Sequence, residues 1–96
     1  MEYESDDKKA ALNLEEHGVA FEEVEAFEWD KALVAQDSRK DYGEARYTAI
    51  APIEERVHVL VYTLRGEDSE IVRVISLRKA NKREVRRYEQ AQTEGE

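Results

Sequence analysis

Arg56-Val57-His58-Val59-Leu60-Val61-Tyr62-Thr63-Leu64-Arg65-Gly66 is the stretch that decides the fold. Its core, Val57–Leu64, is rich in β-branched and aromatic residues and is bounded by arginines and a glycine, which predicts a strand. A run this short cannot cross a bilayer as a helix, and no other apolar run in the chain is longer. Upstream, Pro52-Ile53-Glu54-Glu55 reads as a turn with an early proline, preceded by a strand over Ala45–Ala51. Downstream, Gly66-Glu67-Asp68-Ser69 reads as a second turn, followed by a strand over Ile71–Leu77. Short connections between successive strands make an antiparallel meander.

Helical patterns flank these strands. Asp6 can cap a helix over Asp7–Glu16, and Gly18 after His17 supplies a left-handed C-cap. Within it Lys9, Asn13 and His17 recur every fourth residue as a polar stripe, beside Ala10, Ala11 and Leu14. A second helix is expected over Val19–Phe27, burying Ala20, Val24 and Phe27, followed by a short apolar piece, Ala32–Ala35, and a polar loop, Gln36–Gly43. Asn81 with Glu84 forms a capping box opening a last helix over 82–92, with a frayed tail at Thr93–Glu96. The expected fold is therefore α+β: two N-terminal helices, an antiparallel β-meander sheet and a C-terminal helix, as one domain over residues 1–96.

Composition narrows the chemistry. The chain has no cysteine, and His17 and His58 have no metal-ligand spacing, so no disulfide and no structural metal is expected. Nothing resembles a signal peptide or a membrane span, which points to a cytoplasmic location. The net charge of −8 conceals a polarised chain. Residues 1–30 hold eleven acids against two lysines, whereas residues 71–88 hold seven basic residues against Glu84 alone. A basic end of this kind suits phosphate, although a solvated face is the structural alternative.

Counting cross-strand partners through two four-residue loops sorts the sheet into two faces. Tyr47, Leu60, Tyr62, Leu64, Ile71, Ile75 and Leu77 would share the face that packs on helices. Glu44, Arg46, Thr63 and Arg65 would gather on the other. Two guanidiniums and a carboxylate there could hold a phosphate and remove a proton; an exposed ion-pair ladder is the alternative. His17 is either a helix-end cation or a general acid–base group. His58, Trp29 and Tyr3 are expected to be packed or partner-facing, and Arg78-Lys79 precede a capped helix N-terminus suited to anions.

Three blocks then resemble one family. The first is Tyr3-Glu4-Ser5-Asp6, Lys9, Asn13, His17-Gly18-Val19 and Phe21-Glu22-Glu23. The second comprises Gly43-Glu44-Ala45-Arg46 and Tyr62-Thr63-Leu64-Arg65-Gly66. The third is Arg73-Val74-Ile75-Ser76-Leu77-Arg78-Lys79-Ala80, followed by Arg83-Glu84 and Tyr88. Together, over about residues 3–88, they resemble the BrnT toxins of type II toxin–antitoxin systems.

The resemblance implies a RelE-like fold and a metal-independent ribonuclease, without cofactor, that uses the RNA 2′-hydroxyl and restrains translation. It implies a ribbon-helix-helix antitoxin as partner, with DNA bound only through that antitoxin and no membrane involved. Arg46 and Arg65 would stabilise charge, Glu44 or His17 would move the proton, and Lys9, Thr63, Arg78, Lys79 and Arg83 would bind RNA. Two positions depart from the family pattern: Ser5 replaces a tryptophan, and Glu16 replaces the lysine before His17-Gly18. They keep open a second reading, a catalytically weakened relative serving as co-repressor subunit with its antitoxin.

Overall fold

The computed structural model describes residues 1–38 and 43–94. A five-stranded sheet organises them, in the order β1-β5-β4-β3-β2, formed by β1 (Glu2–Ser5), β2 (Leu33–Asp37), β3 (Arg46–Ile53), β4 (Arg56–Arg65) and β5 (Ile71–Lys79). Two α-helices, α1 (Asp7–His17) and α2 (Lys82–Glu94), complete the α+β architecture. Four strands are antiparallel neighbours, while β1 pairs parallel to β5, so the sheet is mixed and larger than a three-stranded meander. The two extra strands are its edges. Short edge strands carry little signal: β1 offers only Tyr3 to the core, and β2 is the apolar piece after Ala32 extended through Gln36 and Asp37. The expected loop Gln36–Gly43 and tail Thr93–Glu96 fall partly outside the described residues.

The expected second helix is instead a 3₁₀ segment, Phe21–Ala26. Its buried residues Phe21 and Val24, with Phe27 beyond, are spaced by three, which matches three residues per turn and not the α-helical 3.6. Ala20, expected in that stripe, instead begins the segment by donating its N–H to the Glu23 carboxylate at 3.1 Å. The α1 caps follow the sequence: Asp6 accepts from the Lys9 N–H at 3.0 Å, and Gly18 takes φ 69°.

Both turns differ from the expected loops. The β3–β4 connection is tighter, with Ile53 already opposite Arg56, so Pro52 lies within β3. Proline is tolerated there because β2 pairs no farther than Ile50, and the segment beyond, which bridges Phe27 to Ile53, uses only the Pro52 carbonyl, the acceptor of the Glu28 N–H at 3.0 Å. The shift is two residues, so the β3 side chains keep their expected faces. On β5 the expected register is off by one beside the turn, where Arg65 faces Ile71. A bulge follows: Tyr62 faces Val74 but Val61 faces Ser76, leaving Ile75 as the extra residue. Val72, Val74 and Leu77 therefore fill the main core, and Ile71 and Ile75, expected there, do not belong to it.

That core packs one sheet face against α1 and the 3₁₀ segment through Val19, Phe21, Val24, Phe27, Ala49, Ala51, Leu60 and Tyr62. Trp29 stands edge-on to Phe27 and Tyr62 and donates its indole N–H to the Tyr3 hydroxyl at 2.7 Å. His58 is buried, as expected, with Nδ1 2.7 Å from the Arg56 carbonyl. The opposite face is covered at one end only, where Val85 and Tyr88 of α2 pack on Leu33, Ile50 and Val59. The Tyr88 hydroxyl ties the helix to the Lys31 carbonyl at 2.8 Å.

Within the polar stripe of α1, Lys9 and His17 are exposed and Asn13 alone is buried. Asn13, 4% exposed, accepts from the Leu77 N–H (3.1 Å) and donates to the carbonyls of Leu77 (2.7 Å) and Val19 (2.9 Å). Strand β1 ends at Ser5 opposite Val74, so the Asn13 amide stands in for the next strand residue along the β5 edge. Asn13→Leu would strand three backbone groups at once. Urea unfolding is expected to show a loss of about 2–4 kcal/mol. A loss below about 0.5 kcal/mol would mean that water replaces the amide without cost.

Candidate active site

The sheet face not covered by α1 carries alternating residues of every strand, and their order follows from the registers. The row Leu33–Ile50–Val59–Arg78 lies against α2, next comes Ala35–Thr48–Val61–Ser76, and Asp37–Arg46 follows beside Thr63–Arg73. Arg65 and Ile71 close the far end. Six residue steps along β4 lead from Val59 to Arg65, about 20 Å at roughly 3.3 Å per residue. The face is thus a band whose two ends are both cationic and whose middle is apolar or hydroxylated.

At the far end Glu44 accepts from Arg65 Nη2 at 2.9 Å and lies 4.0 Å from Arg46 Nε. All three are partly accessible, with side-chain exposures of 31%, 47% and 23% for Glu44, Arg65 and Arg46. The carboxylate sits just before β3 and the arginines lie on adjacent strands, so the backbone presents both cations around one acid. Thr63 lies between them but is buried, its hydroxyl donating to the Ala45 carbonyl at 2.7 Å. It positions the Glu44 loop. Neighbouring Arg73, unnoticed as a site residue, pairs with Glu4 of β1 at 3.5 Å.

The near end is a cavity of about 490 Å³ between α2 and β2. Thr48, Ile50, Val59 and Val61 floor it, with Arg78, Glu84 and Arg87 along the α2 side. Arg78 donates Nη1 and Nη2 to the two Glu84 oxygens at 2.7 and 2.8 Å. Glu84 also completes the capping box, accepting from the Asn81 N–H (2.9 Å) while its own N–H donates to Asn81 Oδ1 (2.8 Å). The Arg78 hydrogen bonds hold the Glu84 carboxyl below the usual carboxylate range, against the opposing effect of burial. Reciprocally, Glu84 raises the Arg78 pKa.

The remaining expected residues are scattered. Lys9 and His17 lie on α1, which packs on the other side of the sheet, so neither shares the Glu44 cluster. His17 Nε2 is 3.9 Å from the Glu16 carboxylate. Lys79 is exposed at the end of β5, and Arg83 is exposed on α2. Sequence reasoning treated Glu84 only as a cap and Arg87 only as bulk charge. The adjacent apolar pair Val74-Ile75, which interrupts alternation, was the available signal that Arg73 and Arg78 share a face. Among the described residues no group of three or more His, Cys, Asp or Glu could hold a metal ion, and no helix is long and apolar enough to cross a membrane.

Comparison with known proteins places the chain beside a described family and a solved structure. The profile of the family described as "Ribonuclease toxin, BrnT, of type II toxin-antitoxin system" matches residues 6–84. The crystal structure of the Brucella abortus ribonuclease toxin BrnT is similar, with a TM-score of 0.67 and 26% identity over 85% of this chain and 99% of that one. No curated protein sequence matches the chain.

A group whose pKa is depressed in the folded state stabilises the fold above its unfolded pKa, and loses that effect as pH falls through the folded value. Wild type should therefore exceed Glu84→Gln in urea-unfolding stability near pH 7. The difference should shrink below about pH 4, as the carboxylate takes up its proton. An equal difference at pH 3 and pH 7 would contradict the ionic clamp.

Proposed function

This chain belongs to the BrnT family of ribonuclease toxins of type II toxin–antitoxin systems, and from that membership we propose that it cleaves RNA on the open face of its sheet, without a metal. The observation that carries the reading is the Glu44 carboxylate set between Arg65 and Arg46 at the exposed end of that face. RNA supplies its own nucleophile. Glu44 takes the proton of a 2′-hydroxyl, whose oxygen attacks the adjacent phosphorus. The 5′-oxygen leaves with a proton from water, giving a 2′,3′-cyclic phosphate. Arg46 and Arg65 hold the non-bridging oxygens, where negative charge concentrates in the transition state. His17 has no step in this scheme, because the sheet separates it from the cluster. Lys9, Lys79 and Arg83 would serve at most as outlying phosphate contacts.

Family membership implies an antitoxin partner. We take that partner to be a ribbon-helix-helix protein that reaches this face and the basic α2, and through which alone the complex would bind DNA. Glu16 beside His17 favours a second reading: a chain weakened in catalysis that persists as a co-repressor subunit.

Induced expression of the chain alone, scored for growth and RNA integrity, tests these readings. Growth arrest with RNA cleavage is expected. Arg46→Ala with Arg65→Ala should lower the cleavage rate about 100- to 1000-fold, measured on protein whose circular dichroism matches wild type. Undiminished toxicity of that double variant would refute the site, whereas a harmless wild type that still copurifies with its antitoxin would favour the co-repressor.

A further inference from the structure

The cavity at the α2 end contains a guanidinium whose hydrogen-bonding edge is already occupied. Arg78 presents Nη1 and Nη2 to Glu84 in a two-pronged pair. Its charge is matched by that carboxylate, and the capping box fixes the carboxylate in turn. A cation so paired has little to offer a phosphate. What remains is its flat face, beside a floor of Thr48, Ile50, Val59 and Val61. Arg87 differs: it is exposed on the same wall, and no carboxylate among the described residues pairs with it.

From this geometry we infer that the cavity seats one unpaired RNA base, stacked on the Arg78 guanidinium plane, with the phosphate of that nucleotide held by Arg87. The inference rests on the ribonuclease reading and deepens it, by separating a base-binding end of the face from the phosphate-cleaving end. Three features favour a nucleotide over an apolar peptide. The volume suits one small ligand, arginine planes stack on bases, and the cavity floor is built on β3 and β4, the strands that also carry Arg46 and Arg65. The separation of about 20 Å between the two ends accommodates a few nucleotides of single strand, within the range that one small domain contacts.

Salt dependence separates stacking from charge. The probe is a fluorescein-labelled, fully 2′-O-methylated oligoribonucleotide of mixed sequence, about ten nucleotides long, which binds without being cleaved. Anisotropy titrations over a series of salt concentrations give an affinity and a salt slope for each purified full-length variant. Arg78→Lys keeps the charge beside Glu84 but removes the plane, so affinity should fall about tenfold with an unchanged slope. Arg87→Gln should flatten the slope by about 0.7, the contribution of one phosphate on a single strand. Arg87→Lys should behave as wild type. Far-UV circular dichroism matching wild type confirms that each variant is folded.

Wild-type affinity in Arg78→Lys, or a slope flattened by Arg78→Gln as much as by Arg87→Gln, would overturn the stacking role while leaving RNA binding in place. No binding of the probe by wild type would overturn both this inference and the ribonuclease reading beneath it.

Discussion

One extra residue in β5 sets the rest of the molecule. Arg73 and Arg78 are five positions apart, so a regular strand would send their side chains to opposite faces. Ile75 is the residue that β4 leaves without a partner, and its insertion brings Arg73, Ser76 and Arg78 onto the open face. The same insertion delivers Val72, Val74 and Leu77 together to the core beneath α1. Without the bulge, either the core would lose part of its β5 layer or the cationic band would lose one of its ends. Packing and the charge pattern of the open face therefore depend on a single local irregularity.

The two helices use this sheet in different ways. Helix α1 docks through Ala10, packed on the core, and one amide: Asn13 completes the β5 edge beyond the end of β1, leaving Leu12 and Leu14 on either side substantially exposed. Helix α2 docks by apolar contact, through Val85 and Tyr88, but its first turn is tied to β5 by Arg78, Glu84 and Asn81. It leaves the far half of the face uncovered. Coverage at one end and exposure at the other turn a sheet face into a band with a cavity and an open platform.

Much of this was legible in the sequence, for identifiable reasons. Caps and alternation located α1, α2 and the three long strands, and the grouping of Glu44 with Arg46 and Arg65 follows from parity, which a two-residue error in the Pro52 loop does not disturb. The 3₁₀ segment was misread because a three-residue apolar spacing nearly fits an α-helical stripe over so short a span. Edge strands β1 and β2 were missed because a single buried face on four or five residues resembles a loop. The Arg78 clamp needed the bulge, which alternation alone does not announce. Asn13 shows the opposite case, in which a member of a polar stripe is buried because a backbone edge needed both its donor and its acceptor.

The central claim is that RNA engages the open face of the sheet and not the α1 side. Amide chemical-shift mapping by two-dimensional NMR, with a non-cleavable 2′-O-methyl oligonucleotide titrated into the intact chain, tests it directly. The account predicts that the largest shifts fall on residues 46–48, 61–65 and 73–78 and on the first turns of α2. Shifts concentrated on α1 and the 3₁₀ segment, with β3 to β5 unperturbed, would contradict it.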